Sequence, residues 1–142
     1  MSAASLLLNL EFEKGSEYYD RRSGLSEADY KRRLQTSTTL YVGNLQFFIR
    51  EHQLYEFFSK AGIIKNLHLG INKKTFKPCG FCFVEYMTRT EAEEAIKILN
   101  LAHLGGKQVR IDWDYGFAYH RRWGRGLSGG QVRDDIAKEQ SL

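Results

Sequence analysis

Residues 40–45 alternate with period two: Leu40 and Val42 fall on one side, Tyr41 and Gly43 on the other. That pattern predicts a strand with one aliphatic and one ring-bearing face. Over 51–61 the apolar positions Leu54, Phe57, Phe58 and Ala61 have helical spacing, and Gly62 marks the end. A second strand is predicted over 63–69. A basic loop then holds the chain's single proline, Pro78, and leads to a third strand over 80–86. Thr90-x-x-Glu93 reads as a capping box that opens a helix with Ala92, Ala95, Ile96 and Leu99 inward. A last strand over 108–112 puts Val109 and Ile111 inward.

Strand-helix-strand, repeated, is the split βαβ arrangement. The fold class is therefore α+β, a ferredoxin-like βαββαβ unit with a four-stranded antiparallel sheet and two helices on one face. The chain divides into an N-terminal extension (1–38), this unit (39–115) and a tail (116–142). Ser26-x-x-Asp29 predicts a short helix in the extension. The tail is rich in Gly and Arg and cannot form a core, so it is expected to order on a ligand.

Composition adds limits. The net charge of +4 is only mildly basic, and the excess is shared between the middle unit (ten basic, eight acidic) and the tail (five basic, three acidic). Such a balance suits a small ligand or a short strand better than long nucleic acid held by charge. Leu6-Leu7-Leu8 is broken at once by Asn9, Glu11 and Glu13 with no positive segment before it, which argues against a signal peptide. No run approaches a membrane span. Two cysteines make no disulfide framework and point to a reducing compartment.

The candidate chemistry lies on the predicted open face. Tyr41, Phe81 and Phe83 are expected there on neighbouring strands, where rings stack unpaired bases; alternatively the N-terminal segment or a partner covers them. Arg110 and Asp112 fall on the same face, with Trp113 and Asp114 at the strand's end. Carboxylates repel phosphate, yet they accept the N1–H and amino donors of a guanine edge, and a cationic guanine would gain cation–π attraction between rings. The alternative is a solvated strand end with Asp112 paired to Arg110. Arg121, Arg122, Arg125 and Arg133 offer cations to phosphates, and the glycines among them let backbone come close. Cys79-x-x-Cys82 invites a redox or zinc reading, but residues three apart on a strand face opposite ways, and no histidine has ligand spacing. No nucleophile–base pair supports an enzyme. No metal or cofactor is expected.

The strings 40–45 and 79–86 together resemble the two signature strands of an RNA recognition motif. Arg110-x-Asp112-Trp113-Asp114-x-Gly116-Phe117, followed by Gly124-Arg125-Gly126-x-Ser128-Gly129-Gly130-Gln131-Val132-Arg133-Asp134, is similar to the small-subunit family of the nuclear cap-binding complex, and Cys79–Tyr86 matches it with its cysteines included. The likeness covers roughly residues 16–135. It implies binding of the 7-methylguanosine cap of nuclear RNA, with the base between Tyr41 and a ring from the N-terminal segment. Tyr18 is chosen because Tyr-x-Asp matches there, with Tyr19 as the alternative. Asp112, Trp113 (through its backbone) and Asp114 would read the guanine edge, steadied by Arg110. Phe81 and Phe83 would line the floor, and Arg121, Arg125, Gln131, Val132 and Arg133 would hold the triphosphate. Ile136 stands near a family tyrosine that can stack the next base, which is a departure.

The resemblance further implies a heterodimer with a large helical-repeat subunit docking on the helical face or loops, a role in pre-mRNA processing and RNA export, and a nuclear location with passage to the cytoplasm left open. Two rivals remain at this stage: a general single-strand RNA reader, and a module that uses its sheet to bind a peptide.

Overall fold

A computed structural model describes residues 19–124 of the 142-residue chain. The extension contributes a short 3₁₀ turn, Arg21–Ser23, and a helix, α1 (Glu27–Thr36). The Ser26 hydroxyl accepts from the Asp29 amide at 3.2 Å, as Ser26-x-x-Asp29 predicts. The central unit runs β1 (Thr39–Gly43), α2 (Glu51–Phe58), β2 (Ile64–Ile71), β3 (Pro78–Tyr86), α3 (Arg89–Leu99), a small hairpin of β4 (His103–Leu104) and β5 (Lys107–Gln108), then β6 (Arg110–Asp114). The main sheet is four-stranded and antiparallel in the order β2-β3-β1-β6. A 3₁₀ turn, Tyr119–Arg122, follows.

Period two decides what each face of the sheet carries. Leu40, Val42, Cys82, Val84, Val109 and Ile111 join Leu54, Phe58, Ala92, Ala95 and Ile96 in the core beneath the helices. Tyr41, Cys79, Phe81 and Phe83 form a second apolar cluster on the opposite face, with Phe117 packed against it. Cys79 and Cys82 therefore lie on opposite faces, both as free thiols, and burial pushes the Cys82 thiol well up.

The first three strands begin or end one or two residues away from the sequence reading, and three further boundaries differ in ways that carry a physical reason. The helix over 51–61 ends at Phe58, and residues to Ala61 continue only as turns closed by Lys60 N–H to the Phe57 carbonyl and Ala61 N–H to the Phe58 carbonyl. The cap of α3 is Thr88 rather than Thr90: Thr88 Oγ1 accepts from Glu91 N at 3.2 Å and donates to the Glu91 carboxylate at 2.9 Å. Glu91 wins because its carboxylate also accepts the Ile63 amide at 2.6 Å, which ties the helix start to the head of β2. The last strand lies two residues later than expected. Residues 103–108 fold back first, through Gly105-Gly106 with φ of 61° and 85°, as a two-residue hairpin loop requires.

The rings on the second face are also not open. Tyr41, Phe81 and Phe83 are 3%, 0% and 1% exposed. Apolar rings gain by leaving water, and part of the tail covers them: Phe117 sits 5.3 Å from the Phe83 ring and the Arg121 guanidinium 4.8 Å above it. Residues 116–124, read from composition as unable to pack, are thus packed in part.

Arg89 joins the extension to the central unit. Its guanidinium lies 3.4 Å from the centre of the Trp113 ring, and Nη1 donates to the carbonyls of Leu34 (2.6 Å) and Ser37 (2.8 Å) at the end of α1. Replacing it, Arg89→Ala, should destabilise the protein by about 2–3 kcal/mol. Urea unfolding measures the loss, and limited proteolysis should show α1 cut before the sheet.

Candidate nucleic-acid interface

The register of the sheet lines up one row of side chains from edge to edge. Asp112 on β6 opposes Tyr41 on β1, Tyr41 opposes Phe83 on β3, and Phe83 opposes His68 on β2. Beside this row Phe81 stacks on Tyr41 with centroids 6.1 Å apart and planes 25° from parallel, while Phe83 meets Tyr41 edge-on at 5.8 Å. Gly70 makes room for this: a Cβ there would come within 2.4 Å of the Phe81 ring. The sequence reading placed Tyr41, Phe81 and Phe83 on one face, and the structure brings them together there.

The far end of β6 is acidic and buried. Arg121 reaches back from the tail in a two-pronged bond, with Nη1 donating to Asp114 Oδ2 (2.6 Å) and Nη2 to Asp114 Oδ1 (2.8 Å). Nη1 also donates to the Gly116 carbonyl at 2.7 Å. Asp20, from the extension, lies 3.7 Å from the same guanidinium and accepts from the Tyr115 hydroxyl at 3.4 Å. The Tyr115 ring faces the guanidinium at 4.1 Å. The sequence reading gave Asp114 to a guanine edge and Arg121 to phosphate; here the two side chains bind each other, because both are buried and each charge needs a partner.

Asp112 is half-buried, and its Oδ1 accepts from the Trp113 amide at 2.8 Å. No ion pair joins it to Arg110 among the described residues. Two carboxylates, those of Asp20 and Asp114, thus lie against the Arg121 guanidinium at the β6 end, with Asp112 opposite Tyr41 two residues earlier on the strand and Arg110 further back opposite Gly43. The Trp113 indole belongs to the helix-side core, so only its backbone runs through the site.

Tyr19 is committed to the fold. Its ring meets Tyr30 at 5.0 Å, Tyr30 meets Tyr115 at 5.1 Å, and its hydroxyl donates to the Leu25 carbonyl. Tyr18, Arg125, Gln131, Val132 and Arg133 lie outside the described residues.

Sequence reasoning missed Asp20 as a charge partner, and it gave His68 no role. His68 stacks on Phe117 at 3.8 Å with planes 11° apart. Desolvation, then the nearby Arg122 charge, lowers its pKa. The signal for His68 was present: it shares parity with Gly70 on β2, the face that meets the rings. Among the described residues no three His, Cys, Asp or Glu side chains gather as a metal site, and no helix is long and apolar enough to cross a membrane.

A four-stranded sheet with rings on its two central strands defines a single-strand nucleic-acid-binding module, and residues 40–110 match the RNA recognition motif family. A solved structure titled RNA binding protein PG1 superposes with a TM-score of 0.55 at 26% identity, over 58% of this chain and 99% of that one. Among curated proteins the chain is 49% identical to nuclear cap-binding protein subunit 2 of Ixodes scapularis, over 84% of this chain and 79% of that protein. Its identity to the namesake of Xenopus laevis is 44%, over 96% and 90%. For the one from Dictyostelium discoideum it is 49%, over 83% of this chain and 50% of that protein, so the chain spans about half the length of that relative. The chain belongs to the nuclear cap-binding protein subunit 2 family.

Arg121→Ala should destabilise by about 3–5 kcal/mol, since it removes one partner of a buried, two-pronged ion pair; chemical denaturation measures it. His68, with its folded pKa lowered, should make stability constant at neutral pH and lower as pH falls below its unfolded value of about 6.5, where the unfolded chain binds the proton more readily. Melting temperature against pH checks this, and His68→Gln should flatten that part of the curve.

Proposed function

We propose that this chain binds the 7-methylguanosine cap of nuclear RNA as the small subunit of a two-subunit cap-binding complex. The observation that carries the reading is the placement of Tyr41 beside Asp112 in one cross-strand row, with Asp114 and Asp20 at the same strand end. A methylated guanine is a flat cation with hydrogen-bond donors on its edge. It gains from an electron-rich ring face and from carboxylates at once. An acid-rich end suits such a ligand and would repel a bare phosphate chain.

In this reading the base lies between Tyr41 and Tyr18. The choice of Tyr18 over Tyr19 is supported by the Tyr19 ring and hydroxyl both being engaged within the fold. Asp112, the Trp113 backbone and Asp114 take the guanine edge, steadied by Arg110, and Phe81 and Phe83 form the floor. Arg121, Arg125, Gln131, Val132 and Arg133 hold the triphosphate. Arrival of the cationic base at Asp114 gives that carboxylate a second counter-charge and releases Arg121 toward the phosphates.

The covered ring face favours a small clamped ligand over a long strand lying on an open platform, so this reading stands above a general RNA reader. The protein acts by binding rather than catalysis; the two cysteines, on opposite faces, offer no redox pair. The curated relatives' shared name, subunit 2, supports a larger partner. A large helical-repeat subunit would dock on the helical side or the loops, where Phe47, Phe48, Tyr55 and Ile98 are exposed. Nuclear location, pre-mRNA processing and RNA export follow from the same family likeness.

Retention on immobilised 7-methyl-GTP, with the large subunit present, tests this. Methylated nucleotide should displace the protein far better than GTP; equal displacement would sink the proposal. Tyr41→Ala should weaken retention about thirtyfold or more, the worth of a desolvated cation–π contact. Asp112→Asn should cost about tenfold for the methylated ligand and less for GTP, because it removes the charge match.

A further inference from the structure

Residues 116–124 cross the ring face and are held to the sheet at three points. Arg121 is paired with Asp114 at the end of β6. The Gly124 amide donates to the Ile71 carbonyl at the edge of β2 (3.1 Å). In the middle Phe117 comes down on the sheet, 5.3 Å from the Phe83 ring and stacked flat on His68 at 3.8 Å. The first hold is an ion pair and the second a backbone bond. The third is built on an imidazole, whose ordinary pKa puts its change of charge near neutral pH. His120, the histidine within the crossing segment itself, is exposed.

The charges around His68 come from three elements and pull in opposite directions. Glu85 on β3 and Glu51 at the head of α2 favour the protonated ring. Glu85 is engaged at both oxygens, since Asn66 Nδ2 donates to one at 2.9 Å and Thr38 Oγ1 to the other at 3.5 Å. Desolvation under the tail and the Arg122 guanidinium oppose the proton, and together they win, so the His68 pKa lies below 6.5. A stacked imidazolium would gain something from the Phe117 face, but the same stack withdraws the ring from water. Taking up a proton therefore costs free energy while His68 stays under Phe117, and that cost is relieved when the two rings part.

We propose that His68 is a positioning residue and a proton-sensitive latch: neutral, it holds Phe117 down on the ring floor, and protonated, it lets residues 116–124 lift from the sheet. Arg121 and the residues that follow it are the ones assigned to the triphosphate, so lifting the segment loosens the ligand as well. That consequence rests on the cap-binding reading above; the latch itself does not. Linkage sets the size of the effect. A group that titrates near 6.5 when released and lower when stacked has little influence at about pH 7.5, and at about pH 5.5 it shifts the balance toward the lifted state by at most about tenfold.

The test titrates the full chain between about pH 7.5 and about pH 5.5, following the His68 Hε1 and Phe117 ring protons by NMR. Beside it stand His68→Phe, which keeps a flat ring with no proton to gain, and His68→Lys, which is charged throughout. In the parent the Phe117 signals should move with those of His68, at one midpoint below 6.5, toward the shifts of a solvent-exposed ring. In His68→Phe they should stay in place, and in His68→Lys they should be displaced from the start. Phe117 signals that ignore the His68 midpoint, or that move equally in His68→Phe, would overturn the latch. If the lysine variant does not fold, the phenylalanine comparison decides alone. Affinity for 7-methyl-GTP is then measured for the parent and His68→Phe at both pH values, so that titration of the nucleotide itself cancels. The parent should weaken about three- to tenfold more than the variant; equal changes would overturn the coupling to the ligand. Binding by neither protein at either pH would sink the cap reading, and the NMR titration would still decide the latch.

Discussion

One guanidinium holds both flanks of this chain to its sheet. Arg121 comes from the tail, Asp114 from the end of β6 and Asp20 from the N-terminal extension, and all three are buried together. A buried charge costs several kcal/mol unless it is compensated, and within this cluster each group compensates another. Tyr115 and Phe83 rings lie against the guanidinium and narrow its freedom further. The cluster is a constraint more than a source of net stability. Charges brought this far from water gain little over apolar packing, but they dictate which segments meet.

That constraint shapes the ring face. With Arg121 anchored at Asp114, the intervening residues must cross the sheet, and Phe117 comes down between Phe83 and His68. The tail then reaches the β2 edge, where Trp123 meets Ile71. The result is a covered apolar floor with carboxylates at one end. A face closed by its own flanks can discriminate a small charged ring. The cost is that those flanks must shift or share their bonds when a ligand enters.

The extension is held independently of Arg121 as well. Arg89 at the head of α3 reaches the last carbonyls of α1 across the Trp113 ring, and Tyr30 is wedged between Tyr19 and Tyr115. The Tyr30–Tyr115 ring contact and the Arg89 guanidinium thus bring the extension to the acidic end of the site. The ring assigned to sandwich the base belongs to the residue next to Tyr19, so the docking of α1 bears directly on the proposed pocket.

Much of this was legible in the chain itself. Alternation along 40–45 and 80–86 separated Tyr41, Phe81 and Phe83 from Leu40, Val42, Cys82 and Val84, because successive strand residues must face opposite ways. Helical spacing found α2 and α3 for the same local reason. Thr88 displaced Thr90 as a cap because Glu91 meets the Ile63 amide, far along the chain. The pairing of Arg121 with Asp114 and Asp20, the burial of the rings and the stacking of His68 on Phe117 were equally beyond local reading. A charge or a ring chooses its partner by proximity, and proximity here depends on β6 lying beside β1 and on the tail turning back over the sheet. Face and periodicity are properties of neighbouring residues; partnership across the molecule is a property of the fold.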